Sequence, residues 1–274
     1  MARVTGLTIS QVMYNAQMIR TWSLLHRNAH RHNYLIGGRQ EAGNLTESPF
    51  LMHPIESNTA GLYRTPVATL DFASLYPSLY RAHNLCYSTL LHPDDAAAVG
   101  RHSLAFTPTG HAFVKPELRP GILPAILAAL MTARAATRAA LRTARDPAAA
   151  AVLESRQKAL KVTANALYGF TGAGASPLQC VPLADSCLAL GAAACRGAIA
   201  AISAALAPGR GGPLGPAAEG GRVIYAQTDS VFVHFPRATP LEAVRLGRQA
   251  SAGGRPAGAG LRTVSYAQQR VLKQ

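Results

Sequence analysis

Two strand-like segments, each with an aspartate at its end, constrain the fold of this chain more than any other feature. Residues 222–235 read RVIYAQTDSVFVHF, in which apolar β-formers flank residues 226–229. This pattern predicts a β-hairpin with Asp229 at its turn. Residues 66–70 read PVATL and predict a buried strand that ends at Asp71. The whole chain has only six aspartates, so two strand ends carry a side chain that is rare here.

Stretches rich in Ala, Leu and Arg predict long helices between these strands. Gly121 and Pro124 open one stretch that continues to Arg145, and residues 149–168 form the next. The two predict an antiparallel helical hairpin, and residues 182–206 predict a third, apolar helix. Three further ranges complete the prediction: a helix pair over residues 1–35, a loop over 36–62, and a Gly/Pro-rich loop, exposed or disordered, over 207–222.

The charge balance favours a polyanionic partner. The chain carries 27 Lys and Arg against 13 Asp and Glu, a formal net charge of +14, and such a surplus binds phosphate backbones by releasing counterions. The alternative is a compositional bias toward Arg without any ligand. The four cysteines form no C-x-x-C pair and predict buried, reduced thiols. Without a signal pattern or an uninterrupted apolar run of about 18 residues, we expect an intracellular, soluble protein with no membrane partner.

The two strand-end carboxylates predict a metal site. An unpaired charge beside apolar strands is costly, and neighbouring strands would bring Asp71 and Asp229 together. Two divalent cations, about 3.5–4 Å apart, relieve that repulsion and carry out phosphoryl chemistry. Mg²⁺ suits such a site because it accepts one or two carboxylates while keeping waters and substrate phosphates. The alternative is that each aspartate caps a helix or turn, as Asp71 would ahead of a helix at Ser74.

A basic face on the helical hairpin is the natural complement of a triphosphate. Arg134 and Arg138 are four apart on one helix, and Lys161 lies four before Asn165 on the next. One side of the hairpin can therefore present three cations. A solvated basic surface is the alternative, and it explains Arg142 and Arg145 equally well.

Three segments together resemble the polymerase motifs A, B and C of family B DNA polymerases, in the correct order. They are DFASLYPSLY from Asp71, KVTANALYGFTG from Lys161 and YAQTDSVFV from Tyr225. The flanking sequences, among them TPTGHAFVKPELRPGILP and ESRQKALKVTANALYGFTGA, look most like the delta branch, although the zeta and herpesvirus-type branches share much of them. The resemblance covers roughly residues 1–250. It implies an α+β fold, with an antiparallel sheet and packed helices as the palm and an antiparallel helical hairpin as the fingers.

The resemblance implies catalytic and metal-binding roles around Asp71. Asp71 and Asp229 would hold two Mg²⁺ ions, with the backbone carbonyl of Phe72 as a further ligand. Ser74 and Leu75 resemble the triphosphate cradle. Tyr76 resembles the steric gate, whose ring lies under the deoxyribose and leaves no room for a 2′-hydroxyl; an ordinary core tyrosine is its alternative.

The resemblance also implies a nucleotide-binding face on the fingers. Arg134, Arg138 and Lys161 match the family's triphosphate-binding cations. Asn165, Tyr168 and Gly169 match the surface against which the nascent base pair packs, and Gly169 permits close approach. The implied partners are primer-template DNA and deoxynucleoside triphosphates, with accessory subunits and a sliding clamp as further candidates, and a delta-type enzyme would act in the nucleus.

The family's organisation, laid on this chain, divides it into five parts. A connector (1–62) leads to the first part of the palm with motif A (63–118). The fingers with motif B (119–171) and the second part of the palm with motif C (172–236) follow. The remainder (237–274) is expected to be a truncated or disordered tail. We expect no exonuclease domain, no thumb and no C-terminal Cys-rich metal-binding module in this sequence, as in a fragment.

The sequence departs from the family at motif C, which normally reads Tyr-Gly-Asp-Thr-Asp-Ser. Ala226 replaces the glycine and Gln227 replaces the first aspartate, while the second survives as Asp229. Weakened rather than abolished metal binding is expected. Two functions therefore compete: a polymerase core that adds deoxynucleotides to a primer, and a catalytically inactive DNA-binding or scaffold module with the same fold.

Overall fold

A computed structural model describes residues 1–37, 43–45, 52–53, 59, 61–207, 216–253, 261–267 and 270–271 of the chain. These residues form two compact units. The first comprises Met1–Glu47 and Leu79–Ala189, and the second comprises Ser48–Ser78 and Leu190–Gln274. Helices and antiparallel sheets occur together, which confirms the α+β class. The division into palm, fingers and connector stays a prediction, as do its boundaries.

The second unit is built on a five-stranded antiparallel sheet in the order β1-β7-β8-β3-β9. Its strands are β1 (Met52–His53), β3 (Val67–Phe72), β7 (Arg222–Gln227), β8 (Ser230–His234) and β9 (Leu261–Ala267). A separate pair joins β2 (Gly61–Leu62) to β10 (Arg270–Val271). Strand β3 reads VATLDF and buries Val67, Ala68, Leu70 and Phe72, so the predicted strand over 66–70 is confirmed.

The predicted hairpin over residues 222–235 is also confirmed. Strands β7 and β8 pair antiparallel, and the residues buried on them include Val223, Ile224, Val231 and Val233. The β-branched side chains fit the pleated, half-buried surface of a sheet, and the pairing places the turn at the polar residues between the strands.

Helices dominate the first unit. Its N-terminal part contains α1 (Ala2–Thr5), α2 (Ile9–Tyr14) and α3 (Gln17–Arg31), three helices where a pair was predicted. The difference arises at Thr8, which caps α2 in a capping box with Gln11 and so starts a separate helix. The predicted helical hairpin is confirmed as α6 (Ile122–Thr143) packed against α7 (Pro147–Gly172), which Asp146 caps through two backbone N–H groups.

A small three-stranded sheet, in the order β4-β6-β5, lies in the same unit. It contains β4 (Leu90–Leu91), β5 (Leu104–Phe106) and β6 (Ala112–Val114), and α5 (Pro93–Val99) packs against its buried Leu104, Ala112 and Val114. Two helices pass from one unit into the other along the chain, namely α4 (Leu75–Ala82) and α8 (Val181–Leu206). The prediction of a helix over 182–206 is thus confirmed.

The range 237–274, expected to be a truncated or disordered tail, has regular structure in its described part. That part contains α9 (Pro240–Gly253), strand β9, which pairs with β3 from Val67 to Phe72, and strand β10. Ala243, Leu246 and Ala250 of α9 are buried, and their spacing is that of one helix face. The predicted loop over 36–62 includes β1 and β2. Residues 38–42, 46–51, 54–58 and 60 of that loop, and half of the predicted loop over 207–222, lie outside the described residues.

Helices α6 and α8 are each long and apolar enough to cross a membrane by length and composition. Within the apolar windows, 33% of the α6 residues and 50% of the α8 residues are buried inside the fold. A core helix meets the same criterion, so this is weak evidence for a membrane span. The expected absence of a membrane partner stays a prediction.

Candidate functional site

The two predicted metal-binding aspartates lie side by side at one end of the five-stranded sheet. Asp71 pairs with Ser230 in the β3–β8 register, which makes Asp229 the neighbour of its partner. The backbone N–H of Phe72 donates a hydrogen bond to the carbonyl of Asp229 at 2.8 Å. The Ser230 hydroxyl donates to a carboxylate oxygen of Asp71 at 3.2 Å. The predicted adjacency of the two strands is therefore confirmed.

The turn that carries Asp229 holds a strained backbone. Gln227 and Ser230 pair across the hairpin, so Thr228 and Asp229 form a two-residue turn. Thr228 has a φ of 48°, a conformation that is costly for a β-branched residue. Asp229 and Gln227 are exposed, whereas Asp71 is half-buried. The strained turn thus holds the Asp229 backbone beside the end of β3 while its side chain remains open to solvent.

Ala226 lies in strand β7 and not in the turn. It pairs with Val231 on β8 and is 0% exposed. Its methyl group is therefore packed in the core. Of the two departures in this motif, only Gln227 faces solvent near the aspartates.

Helix α8 contributes a cysteine to the electrostatic environment of Asp229. The pKa of the Cys195 thiol is raised to about 11, chiefly by burial; the Arg196 charge opposes the rise and the Asp229 carboxylate adds a smaller contribution to it. A raised pKa keeps this thiol protonated at neutral pH. This cysteine agrees with the prediction of buried, reduced thiols, as do Cys86 and Cys187, while Cys180 is partly exposed.

The two carboxylates at the end of the sheet suit Mg²⁺ better than they suit a metal ion whose ligands all come from the protein. Asp71 and Asp229 supply two carboxylates. Among the described residues no group of three or more His, Cys, Asp or Glu side chains could hold a metal ion. Mg²⁺ is commonly bound by one or two carboxylates together with waters and substrate phosphates, whereas a structural zinc site needs four protein ligands. Asp71 on β3 and Asp229 in the adjoining turn supply two carboxylates, which matches the first description.

The loop after β3 leads directly into helix α4. Ser74 has a φ of 56°, and its carbonyl accepts a hydrogen bond from the backbone N–H of Ser78 at 3.0 Å. Helix α4 begins at Leu75, followed by the half-buried Tyr76 and the buried Pro77. The N-terminus of a helix directs its first N–H groups and the positive end of its dipole outward, which favours anions. The predicted cradle residues therefore sit where an anion would be stabilised.

The predicted nucleotide-binding cations lie on the α6–α7 hairpin of the first unit. The Arg134 guanidinium reaches the Gln157 side chain of α7, with Nε 3.4 Å from Oε1. Lys161 is four residues after Gln157 and hence on the same stripe of α7. Arg138, one turn beyond Arg134, is exposed, as is Lys161. This geometry agrees with one basic side on the hairpin; the triphosphate itself stays a prediction.

The predicted base-pair surface continues along α7. Asn165 and Gly169 are exposed and Tyr168 is half-buried. Burial raises the pKa of Tyr168 to about 12, helped by Cys187 and Asp185, so its phenol stays neutral. A methyl group built onto Gly169 would meet nothing within 4 Å. Among the described residues, none therefore requires glycine at this position.

The candidate site residues divide between the two units. Asp71, Phe72, Ser74, Leu75, Tyr76 and Asp229 belong to the second unit, and Arg134, Arg138, Lys161, Asn165, Tyr168 and Gly169 belong to the first. Two residues near the aspartates were not predicted from the sequence. Ser230 hydrogen-bonds Asp71, and Cys195 lies close enough to Asp229 for the carboxylate to raise the pKa of its thiol. Ser230 directly follows the predicted Asp229, but its bond to Asp71 depends on strand register, and no sequence signal marks Cys195.

Comparison with known proteins gives consistent results. The sequence model of DNA polymerase family B matches residues 7–253. DNA polymerase delta catalytic subunits are 41% identical over 253 residues in Glycine max, 38% over 254 in Bos taurus and 39% over 256 in Schizosaccharomyces pombe. Each match covers 92% of this chain and 22% or 23% of the relative. The chain thus spans less than a quarter of the length of these curated relatives.

Proposed function

This chain belongs to DNA polymerase family B, and on that premise we propose that it is the catalytic core of a DNA-directed DNA polymerase. It would add deoxynucleotides to a primer 3′-hydroxyl in DNA replication or repair. The observation that carries the proposal is the register of β3 and β8, which puts Asp71 beside Asp229 at one end of the sheet. Two carboxylates so placed can hold divalent ions over one phosphate.

In this proposal Asp71, Asp229 and the Phe72 carbonyl hold two Mg²⁺ ions. When bound, the ions lower the pKa of the primer hydroxyl and neutralise charge on the phosphates and the leaving pyrophosphate. The Ser230 hydroxyl bonds one oxygen of Asp71 and so orients that carboxylate. The five-stranded sheet would be the palm, and its hydrogen-bonded strands hold the backbone of Asp71 beside that of Asp229.

The α6–α7 hairpin would be the fingers. Arg134, Arg138 and Lys161 would bind the triphosphate, and Ser74 and Leu75 at the start of α4 would cradle it. The partners would be primer-template DNA and deoxynucleoside triphosphates. Accessory subunits, a sliding clamp and a nuclear location remain expectations from the resemblance.

Primer extension by the 274-residue chain tests the proposal. We expect extension with Mg²⁺ and all four deoxynucleotides, and none from the Asp229→Ala variant. Binding of labelled primer-template is measured in parallel. Tight binding without extension, in both the parent chain and Gln227→Asp, would favour the inactive DNA-binding module instead. The replacement of a motif C aspartate by Gln227 is the observation that keeps this second function under test.

Replacing Tyr76 with Ala should admit ribonucleotides. If the ring lies under the sugar, its removal opens space for a 2′-hydroxyl, and the preference for deoxynucleotides should fall by roughly tenfold or more. Incorporation of ribo- and deoxynucleotides into a primer gives the ratio. Tyr76→Phe keeps the ring and should keep the selectivity. Unchanged sugar selectivity in the alanine variant would remove the gate assignment.

Replacing Gln227 with Asp should lower the Mg²⁺ concentration needed for extension, because a carboxylate attracts Mg²⁺ more strongly than a neutral amide oxygen. The exposed position of Gln227 across from Ser230 lets the new charge reach the cations. A Mg²⁺ titration of the extension rate is the measurement. If the titration curve does not move, position 227 does not limit catalysis.

The double variant Ala226→Gly with Gln227→Asp serves as the control. Since the Ala226 methyl group is buried in strand β7, its loss should destabilise the fold by about 0.5–1 kcal/mol without a further gain in Mg²⁺ affinity. A double variant that binds Mg²⁺ more tightly than Gln227→Asp alone would show that the methyl group does act on the turn.

Replacing Gly169 with Ala should separate stability from activity. The position is exposed, helical and open in the chain, so alanine should stabilise the helix by about 0.5–1 kcal/mol. If the nascent base pair packs against this backbone, the added methyl group should reduce extension. Gly197→Ala on α8 is the matched control, because a methyl group there also meets nothing within 4 Å. Equal activity of the two variants would contradict the assigned role.

A further inference from the structure

A groove on the first unit is separate from the residues discussed so far. Side chains of α1, α3, α6 and α7 line it, and its volume is about 820 Å³. Leu24, Ile126, Leu130 and Leu160 form an aliphatic floor. Val152 also lines the groove and is 68% exposed. The groove therefore offers apolar surface that a partner could bury.

Four arginines surround this floor, and we call the whole the arginine groove. They are Arg3 on α1, Arg27 and Arg31 on α3, and Arg156 on α7. Within the described part of the chain, none of the lining residues is acidic and none of the four arginines forms an ion pair. Arg27 does donate to the backbone carbonyls of Ser23 and Thr5, but neutral carbonyls leave its charge in place.

We propose that the arginine groove docks an acidic amphipathic helix of a protein partner. Arg31 and Arg156 belong to two different helices that line the groove, so positive charge from both α3 and α7 borders the apolar floor. The complementary ligand has an apolar stripe flanked by carboxylates. Helix-in-groove recognition uses that arrangement, with apolar anchors at i, i+3, i+4 and i+7.

The length of the groove suits such anchors. The lining stretch of α6 extends from Ala125 to Ala133 and that of α7 from Ala151 to Leu160. At 1.5 Å per residue each stretch is about 12–14 Å long, or between two and three helical turns. Anchors from i to i+7 span the same two turns.

A nucleic acid fits the groove less well. Proteins that bind single strands supply aromatic side chains on which bases stack, and the lining residues include no Phe, Tyr, Trp or His. The groove also lies on a different face of α7 from Lys161, the proposed nucleotide-binding residue. Five residues separate Arg156 from Lys161, which at 3.6 residues per turn is roughly 140° around the helix. The groove can thus be occupied without contact with that face.

The test uses a fluorescent peptide of about 15 residues, long enough to form a helix. It carries leucine at i, i+3, i+4 and i+7, glutamate on both flanks and alanine elsewhere. Fluorescence anisotropy measures its binding to the 274-residue chain. We expect saturable binding that weakens as NaCl rises from about 0.05 to about 0.5 M. A companion peptide with glutamine for each leucine should bind at least about tenfold more weakly.

Charge reversal in the groove supplies the matched comparison. Arg31→Glu with Arg156→Glu should weaken binding by roughly tenfold or more. The control pair Arg142→Glu with Arg145→Glu makes the same charge change at exposed residues outside the groove and should leave binding within about twofold. A peptide with lysine for each glutamate should bind the groove variant more tightly than the parent chain. Hydrogen exchange on the parent chain, with peptide bound, should protect α3 and α7 whether or not the variants fold.

Several outcomes would overturn the proposal. An equal loss in the control pair would mean general electrostatic attraction, and equal binding of the glutamine peptide would mean that the apolar floor is not used. Absence of protection in α3 and α7 would place the peptide elsewhere. If the groove variant loses oligothymidylate binding while keeping the peptide, the groove is a nucleic-acid surface.

Discussion

Asp71→Asn and Asp229→Asn should each reduce primer extension by about a thousandfold or more. A metal-bound carboxylate contributes several kcal/mol of charge stabilisation in the transition state, and about 1.4 kcal/mol corresponds to a factor of ten in rate. Asparagine keeps the shape of the side chain. Its amide oxygen at position 71 can still accept the hydrogen bond from Ser230, so the fold should survive while the charge is lost.

Single-turnover extension and Mn²⁺ binding provide the two measurements. Both should fall together in each variant, because the same carboxylates would hold the ions. Asp95→Asn is the matched control, since Asp95 is exposed on α5 and has no proposed role. Full activity in Asp71→Asn would overturn the two-metal assignment, whereas lost extension with unchanged Mn²⁺ binding would give the carboxylates another role.

Asn84→Ala should produce the largest loss of stability, about 3 kcal/mol or more, since each buried polar group left unpaired costs about 1–3 kcal/mol. Asn84 is 2% exposed. Its amide donates to the carbonyls of Val114 and Arg119, each at 2.8 Å, and its oxygen accepts from the N–H of Gly121 at 2.9 Å. One side chain thus ties the end of β6 to the start of α6, the first helix of the proposed fingers.

Two further variants separate the hydrogen bonds of Asn84 from its backbone conformation. Asn84 has a φ of 51°, which asparagine and glycine tolerate better than alanine. Relative to Asn84→Ala, Asn84→Gly should recover only the part of the lost free energy of unfolding that comes from the positive φ. Asn33→Ala, at an exposed residue with a φ of 55°, should cost about 1–2 kcal/mol. Denaturant unfolding can be followed by the fluorescence of Trp22, the single tryptophan, which lies in the same unit. A loss in Asn84→Ala no larger than in Asn33→Ala would contradict the hydrogen-bond argument.

Local sequence patterns identified the elements that carry the candidate site. Strand β3, the β7–β8 hairpin and helices α6, α7 and α8 were all predicted, because each has a period or a composition that only one regular structure satisfies. The predicted boundaries differ from the observed ones by a few residues at most, as at α7, which begins at Pro147 rather than at about residue 149.

The elements that were missed depend on partners far away in the chain. Strand β9 lies beside β3 although almost 200 residues separate them, and the two-residue β1 gains its strand character from pairing with β7. Helix α9 has a regular apolar spacing at Ala243, Leu246 and Ala250 that a search for periodicity could have found. The high alanine and glycine content of α9 obscured this spacing.

By itself, the sequence determined which side chains could do chemistry: two strand-end aspartates, a basic helical stripe and three ordered motifs. These are local properties, since spacing along a strand or helix fixes which side chains share a face. Only the tertiary structure decided that Ser230 bonds Asp71, that the Ala226 methyl group lies in the core, that Asn84 joins β6 to α6, and that four arginines from three helices surround one apolar groove. Each of these depends on strand register or helix packing, which arise from contacts between distant residues that no local pattern encodes.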